Sequence, residues 1–533
     1  MGKNLPIAWP AAVFAVIACV LAVTWWRFQV PFPFLGSDAG NIASFTAGWL
    51  SPDAWNGDEV LANPGNYRFY ATVHIPLLAA LSWLVGDLGT AFVLLLPVAL
   101  WLNALSHWHL GRVLFGTAPG AWALGLMSFG MVSLGIDHYG TYPDVLPRFL
   151  FQIVLPLLLA GLLRRADTPG RWPGLFAGHG LAVYLHPVSA PSAALASWLT
   201  LALTRPRRWL ALVGAGVAFV VPAVPFALNY LSGHAHGTPA DYDAAAARHL
   251  ALFGPAFGDG LVYARDVLGG WQIRWFVPAW GLAGAVAVWV LAPARRRHLV
   301  LLLAWAAMMV VSSLGVTLAE QALCRSLRVL PVEIDTIRNL RYVVPVLMVV
   351  GLWGVVEAAG SASRRAMVLP LAAAAIWLLA NKPGVTPVRD TVACLARGHM
   401  VCVPEEWTER RAMLVAVVAG VPAGTGVLPA VDRYEGTDVS LALRYYARRP
   451  VVFSFKDGST ALGYANHAAL DRWTDVAARL ERAHHDGDWR TISDLADALD
   501  AGAIVADIPV VELSGWLLLH RAGRYSVLVR SPT

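Results

Sequence analysis

Runs of apolar residues long enough to cross a bilayer recur through most of this chain, and they constrain its fold more than any other feature. A crossing helix needs about 20 apolar residues, because each residue advances about 1.5 Å through a hydrocarbon core about 30 Å thick. Runs near that length, some of them shorter, lie at Leu5–Trp26, Thr90–Leu110, Ala118–Leu134, Arg148–Leu163, Trp172–Leu185, Ser192–Thr204, Trp209–Leu231, Trp271–Leu291, His298–Leu318, Arg341–Val356 and Ala366–Ala380. They amount to about eleven spans. With 533 residues, 57% hydrophobic and 14% charged, and a mean hydropathy of +0.57, the chain is too apolar for a soluble globule of its size. The expected fold class is an α-helical polytopic membrane protein.

The basic residues set the topology. A net charge of +6 could suggest nucleic acid, but the Lys and Arg residues sit in short clusters between apolar runs, as in cytoplasmic loops, so nucleic acid is set aside. A shorter run, His74–Val85, follows a proline-broken edge. If it does not cross, Lys3, Arg112, Arg164–Arg165, Arg205–Arg208, Arg295–Arg297 and Arg364–Arg365 all fall on one side. It is therefore expected to be an interfacial or re-entrant helix on the outer face. The N-terminus is then inside and the C-terminus outside, and the long loops Arg27–Gly89, Gly135–Pro147, Ser232–Gly270 and Ala319–Leu340 are all external. Met1–Trp26 has a basic start but no small-residue cleavage site, so it reads as a retained helix.

From Asn381 onward charges become frequent and apolar runs shorten to strand length. Residues 1–380 are read as a transmembrane domain and 381–533 as a soluble outer α/β domain. Its expected strands are Val427–Leu428, Val451–Phe455, Ala503–Val505 and Tyr525–Val529, and its expected helices Val439–Ala447, Ala468–Ala483 and Ile492–Leu499. Cys394 and Cys402 close a small loop if their compartment is oxidising, and otherwise stay as two thiols.

The stretch Arg27–Tyr70 carries the first acidic candidates, in GSDAG and SPDAWNGDE. Asp38 follows a helix exit and precedes a second apolar stretch, so either Ser37 or Asp38 is the N-cap of that stretch or Asp38 is a partly buried general base for an acceptor hydroxyl. The two roles are compatible. The second outer loop, IDHYGTYPDVLPR, crowds Asp137, His138, Tyr139, Tyr142, Asp144 and Arg148 between two helices. It reads as a site contribution, with Asp137 and Asp144 as second carboxylates, or as a solvated loop. In CRSLRVLPVEIDTIRNLRYVVP, Arg338 and Arg341 share a helical face at the mouth of a span, where paired guanidiniums suit a phosphate. The alternative is that they snorkel or pair with Glu333 and Asp335. Trp55, Tyr67, Trp271 and Trp275 read as interfacial aromatics more than as sugar platforms.

His234, His236, Asp241 and Asp243 share one loop, but their spacing matches no zinc signature. No Walker loop, G-x-G-x-x-G, nucleophile elbow or H-E-x-x-H is present, so soluble nucleotide chemistry is not indicated.

Together these features resemble the GT-C superfamily of integral-membrane glycosyltransferases. The residues that carry the resemblance are Asp38, the His74-Ile75-Pro76-Leu77 start of the interfacial helix, LGRVLFG (Leu110–Gly116), PRFLFQIVLPLLLAGLLRR (Pro147–Arg165) and RNLRY (Arg338–Tyr342). The likeness covers the first 380 residues as architecture, and RYYARRPVVFSFKDG (Arg444–Gly458) is similar to the α/β tail of bacterial members. The resemblance implies an inverting transfer of sugar from a polyprenyl-phosphate-linked donor to a glycan, lipid or protein acceptor. The reaction takes place on the periplasmic side of a bacterial inner membrane. Asp38 is then the base, Arg338 or Arg341 holds the departing phosphate, and Asp137, His138, Asp144 and Arg148 line the substrate site. No cofactor is required, and a divalent cation has no support from the residues. Asp38 lacks an acidic neighbour and the second loop has no D-x-D or E-x-D pair, two departures from the superfamily pattern. The competing readings are a polysaccharide or lipid transporter or flippase, and a non-catalytic partner in a surface-glycan assembly complex.

Overall fold

The computed structural model of this chain describes residues 8–29, 35–70, 72–134, 137–140, 145–232, 242–253, 259–269, 276–330, 336–360, 364–380, 382–399, 405–458, 467–508 and 513–531. Contacts divide the chain into two units. The first takes Met1–Trp25, Leu95–Ala227 and Thr238–Ala393, and the second Trp26–Leu94, Leu228–Gly237 and Cys394–Thr533. The division does not follow the 380/381 boundary drawn from composition, because Trp26–Leu94 groups with Cys394–Thr533.

The helices of the chain, in order, begin with α1 (Ala8–Gln29), α2 (Ser37–Leu50), α3 (His74–Val85), α4 (Leu88–Phe115) and α5 (Ala118–Met127). Next come α6 (Pro147–Arg165), α7 (Trp172–Leu181), α8 (Ser189–Thr204), α9 (Trp209–Ser232), α10 (Tyr242–Phe253) and α11 (Gly260–Gly269). α12 (Phe276–Leu291), α13 (Arg296–Leu327), α14 (Val343–Ala359), α15 (Arg364–Ala380) and α16 (Lys382–Ala396) complete the apolar part. Among the described residues six helical segments are long and apolar enough to cross a membrane: those of α1, α4, α6, α9, α13 and α14. The chain is therefore a multi-pass membrane protein.

Some expected spans are shorter in the structure. The run Ala118–Leu134 is helical only to Met127, after which β1 (Met131–Leu134) pairs antiparallel with β2 (Asp137–Gly140). Gly130 and Gly135 flank the β-branched Val132, and glycine is the weakest ordinary helix former. The run Trp172–Leu185, with Gly174, Gly178 and Gly180 in it, holds ten residues of α-helix and then a 3₁₀ turn. α3 has 12 residues, below spanning length, with Trp83 and Leu84 exposed while Ile75, Leu78 and Ala79 are buried.

In the first unit α12 and α14 make a close helix crossing. A Cβ on Gly284 would stand 2.2 Å from the Val350 carbonyl oxygen, and one on Gly354 would stand 2.6 Å from the Gly284 Cα. Small residues let two apolar helices approach backbone to backbone, which a bilayer otherwise does little to drive. α13 packs on α8, where the Trp305 indole donates to Ser197 Oγ at 3.0 Å.

The second unit is built on a four-stranded sheet of β3 (Val427–Ala430), β4 (Ala503–Ala506), β5 (Trp516–Ala522) and β6 (Tyr525–Arg530), in the order β3-β4-β6-β5. β3 and β4 are parallel, with Val427 opposite Ala503, and the other pairs are antiparallel. The expected strand at Val451–Phe455 is reduced to one bridge, Val451 to Val427, before a single helical turn, Phe455–Gly458. β5 was not expected from the sequence. Helices α17 (Glu405–Gly420), α18 (Arg433–Tyr445), α19 (His467–Asp486) and α20 (Trp489–Ala498) surround the sheet, the last capped by Asp488, which accepts from Thr491 N. α2 lies on α18, where Gly40 leaves room for Leu441, and the Leu35 amide donates to the Tyr445 hydroxyl at 3.2 Å. Trp55 and Tyr67 are core residues of this unit and not interfacial aromatics. Cys394 is buried and disulfide-bonded, and Cys402 lies outside the described residues.

Candidate functional site

The second unit buries three charges together. α18 carries Arg444 in its last turn, the helical turn Phe455–Gly458 carries Asp457, and the turn after Trp55 carries Asp58. Arg444 donates from Nε and Nη2 to the two oxygens of Asp58 at 2.7 and 2.9 Å, and from Nη1 and Nη2 to those of Asp457 at 2.7 and 2.8 Å. Asp58 also accepts the backbone N–H groups of Val60, Leu61 and Val451. A planar guanidinium has the fork geometry for two bidentate partners, which an ammonium lacks. Burial pushes the Asp457 carboxyl above its ordinary range; the Arg444 charge and bond oppose this, and the nearby Asp58 charge adds to it. Burial alone would lower the Arg444 pKa, but the charges and bonds of Asp457 and Asp58 outweigh it and raise it.

Lys456 precedes Asp457 on the same turn and reaches Asp38, with Nζ donating to Oδ1 at 2.8 Å. The Asp38 side chain is 43% exposed and that of Lys456 15%. The N-cap of α2 is Gly36, whose carbonyl accepts from Gly40 N at 2.7 Å, and no side chain caps the helix. Asp38 instead sits in the first turn, where the helix dipole favours an anion. The capping role expected of Ser37 or Asp38 is thus corrected, while Asp38 is partly buried.

Further charges surround this pair. Arg410 donates to Glu435 at 2.7 Å and approaches Asp438 at 3.9 Å, and Glu435 also pairs with Tyr525 and Arg524. Burial raises the Asp438 pKa, against the lowering effects of Arg410 and, more weakly, Lys456. Glu59 pairs with Arg472, and burial raises its pKa despite that arginine. Glu59, Arg472, Asp457, Ser454 and Trp473 line a small cavity of about 20 Å³, enough for one water.

The other candidates lie in the first unit. Arg338 and Arg341 belong to a 3₁₀ helix, Ile337–Tyr342, whose three residues per turn align them as expected. Arg338 Nε donates to the Tyr263 hydroxyl at 3.1 Å, and Arg341 is buried, its guanidinium 5.2 Å from the Tyr342 ring centre. Between them Asn339 bonds the hydroxyls of Ser189 and Ser192, and the Tyr342 hydroxyl donates to Ser189. This buried polar set fixes the turn. Asp137 and His138 are in β2, which packs beside the 3₁₀ helix and α6, and half-buried Arg148 opens α6. Asp144, Glu333, Asp335, His234, His236 and Asp241 lie outside the described residues, and Asp243 pairs with Arg328 at 3.0 Å. Among the described residues no group of three His, Cys, Asp or Glu is placed to hold a metal ion.

The structure therefore brings Asp137, His138, Arg148, Arg338 and Arg341 into neighbouring elements of one unit and places Asp38 in the other. Sequence reasoning singled out SPDAWNGDE and RYYARRPVVFSFKDG, which contain Asp58, Arg444, Lys456 and Asp457, but gave none of the four a role. A local signal was the Lys-Asp pair of FSFKDG, charged residues inside an otherwise apolar run. No protein-family model and no curated protein matches the chain.

Proposed function

We propose that this chain is a membrane glycosyltransferase that moves a sugar from a polyprenyl-phosphate carrier to a glycan, lipid or protein acceptor on the outer face of the membrane. The observation that carries this reading is Asp38, a half-exposed carboxylate in the first turn of α2, fixed at 2.8 Å by Lys456. In the reaction Asp38 accepts the proton of the acceptor hydroxyl. The acceptor oxygen attacks the sugar carbon that bears the carrier, the bond from that carbon to the phosphate oxygen breaks, and its electron pair leaves on the phosphate. One direct displacement inverts that carbon. Stabilising the charge of the departing phosphate contributes most of the rate.

In this reading an odd number of crossings, about eleven, puts the N-terminus in the cytoplasm and the C-terminal domain in the periplasm of a bacterial inner membrane; six helical segments among the described residues have membrane length. The one-sided distribution of arginine clusters supports this orientation. The test compares lipid-linked sugars and surface glycans, by mass spectrometry, in strains that are deleted, complemented with the wild type, or complemented with Asp38→Asn. An Asp38→Asn strain with normal protein abundance should match the deletion and accumulate a polyprenyl-phosphate sugar. A wild-type profile in that strain rejects the transferase and favours transport or assembly.

A further inference from the structure

We propose that Lys456 is a positioning residue for Asp38, and that the buried Asp58–Arg444–Asp457 cluster is the anchor that keeps Lys456 in place; the inference rests on the transferase reading above. Lys456 stands on a turn that is four residues long and pinned along its length. Its own N–H donates to Ser454 Oγ at 3.2 Å, Ser454 Oγ lies 2.7 Å from Ser440 Oγ on α18, and the Trp473 indole donates to the Ser454 carbonyl at 2.8 Å. The next residue, Asp457, holds Arg444 through both its oxygens. The backbone that carries Lys456 is thus held on both sides of it.

Stability alone is a weak reason for this arrangement. An ion pair with an exposed partner contributes little to stability, yet here a mostly buried lysine is directed at a half-exposed carboxylate. Asp38 remains reachable from solvent while one of its oxygens is fixed. Lys456 also acts on Asp438 of α18, and Asp438 in turn faces Arg410, which is bound to Glu435. The ammonium therefore stands among acids from two helices, α2 and α18, which pack on one another. A proton acceptor held this way keeps one geometry towards an incoming hydroxyl, and misplacement by about 1 Å can lower a rate by on the order of 10²-fold.

The test uses the full chain in membranes of the deletion strain, with the polyprenyl-phosphate sugar which that strain accumulates as the probe. Its rate of consumption is measured for Asp38→Asn, Lys456→Met, Lys456→Arg and Lys456→Cys, each at matched protein abundance. Lys456→Met should lower the rate by on the order of 10²-fold, and Lys456→Arg, which keeps the cation, should retain it within about tenfold. Treating Lys456→Cys membranes with 2-bromoethylamine rebuilds an ammonium side chain and should restore the rate; wild-type membranes, treated alike, control for Cys19 and Cys324, which are free thiols. A dead Asp38→Asn beside a wild-type rate for Lys456→Met overturns the inference and leaves the transferase standing. A wild-type rate for Asp38→Asn removes the transferase reading and the inference with it. If Lys456→Met does not reach the membrane, the Lys456→Cys sample decides, and failure to recover after treatment overturns the proposal.

Discussion

Replacing Arg444 with methionine removes one guanidinium from two buried carboxylates at once. The side chains of Arg444 and Asp58 have no solvent exposure and that of Asp457 has 6%. Removing one partner of a buried pair costs about 3–5 kcal/mol. Each stranded carboxylate has an escape, which is to take up a proton. With an ordinary pKa near 3.9 and about 1.36 kcal/mol per unit, that costs roughly 4 kcal/mol at pH 7. Two carboxylates set a ceiling of roughly 8 kcal/mol, and the expected loss for Arg444→Met is about 5–8 kcal/mol, a large part of the stability of a typical domain. The loss depends on pH with a definite sign. A carboxyl protonated in the folded variant and ionised when unfolded gives stability that is complete below its unfolded pKa and falls as pH rises. Acidifying from pH 7 to pH 5 should therefore return up to about 1.4 kcal/mol per carboxyl per unit. Asp457→Asn is the contrasting change, since it leaves one carboxylate for one guanidinium and relieves a carboxyl that burial already disfavours. It should cost less than about 2 kcal/mol. The assay is urea unfolding of the detergent-solubilised chain followed by pulse proteolysis, scored by loss of fragments from residues 405–531. An Arg444→Met chain within about 1 kcal/mol of the wild type at pH 7 would refute the reasoning, as would an Asp457→Asn chain equally damaged.

Two further outcomes follow from particular contacts. Gly284→Ala drives a methyl into the Val350 carbonyl and should cost about 1–3 kcal/mol or more, read as a lower melting temperature in detergent, whereas Gly214→Ala on α9, with open space around it, should gain about 0.5–1 kcal/mol. The His484 pKa is raised, chiefly by its 2.6 Å bond to Asp507, against burial and with help from the Asp507 and Asp432 charges. Its contribution, about 1.5–3 kcal/mol at most, should be complete below the unfolded pKa of about 6.5 and fade as pH rises through the higher folded value. His484→Gln should flatten that part of the stability-versus-pH curve.

The long apolar helices were legible because length and composition alone identify them, as α4, α6, α9 and α13 illustrate. Composition does not register where a helix stops, so the apolar run through Gly130 reads as a span although α5 ends at Met127 and β1 begins at Met131. Strand β5 was hidden for a related reason. Leu517, Leu518 and Leu519 are consecutive apolar residues at the sheet edge with a register shift between Leu518 and His520, so no alternation marks a strand. Of the charged site only Asp38 was recognisable, because helix start signals are local. Its partner is 418 residues away in sequence, and Asp58 is 386 residues from Arg444. Nothing local to SPDAWNGDE distinguishes an acid that will be buried against an arginine from one left in water.

That pairing changes what the first loop is. Trp55, Asp58, Val60 and Leu61 are all buried, so the loop is a piece of a core whose other half is encoded near the end of the chain. Asp58 cannot be buried at acceptable cost until Arg444 is available, since an isolated carboxylate in an apolar interior takes up a proton or stays in water. The loop must therefore stay open through most of synthesis, and closes only when α18 and the turn Phe455–Gly458 have been made. The same event brings Lys456 to Asp38, because Lys456 and Asp457 are adjacent on one pinned turn. Any chemistry that depends on Asp38 thus depends on the C-terminal residues for the shape of the loop itself. A truncated chain that keeps every membrane-length helix would still lack the structure that holds its first acidic residue.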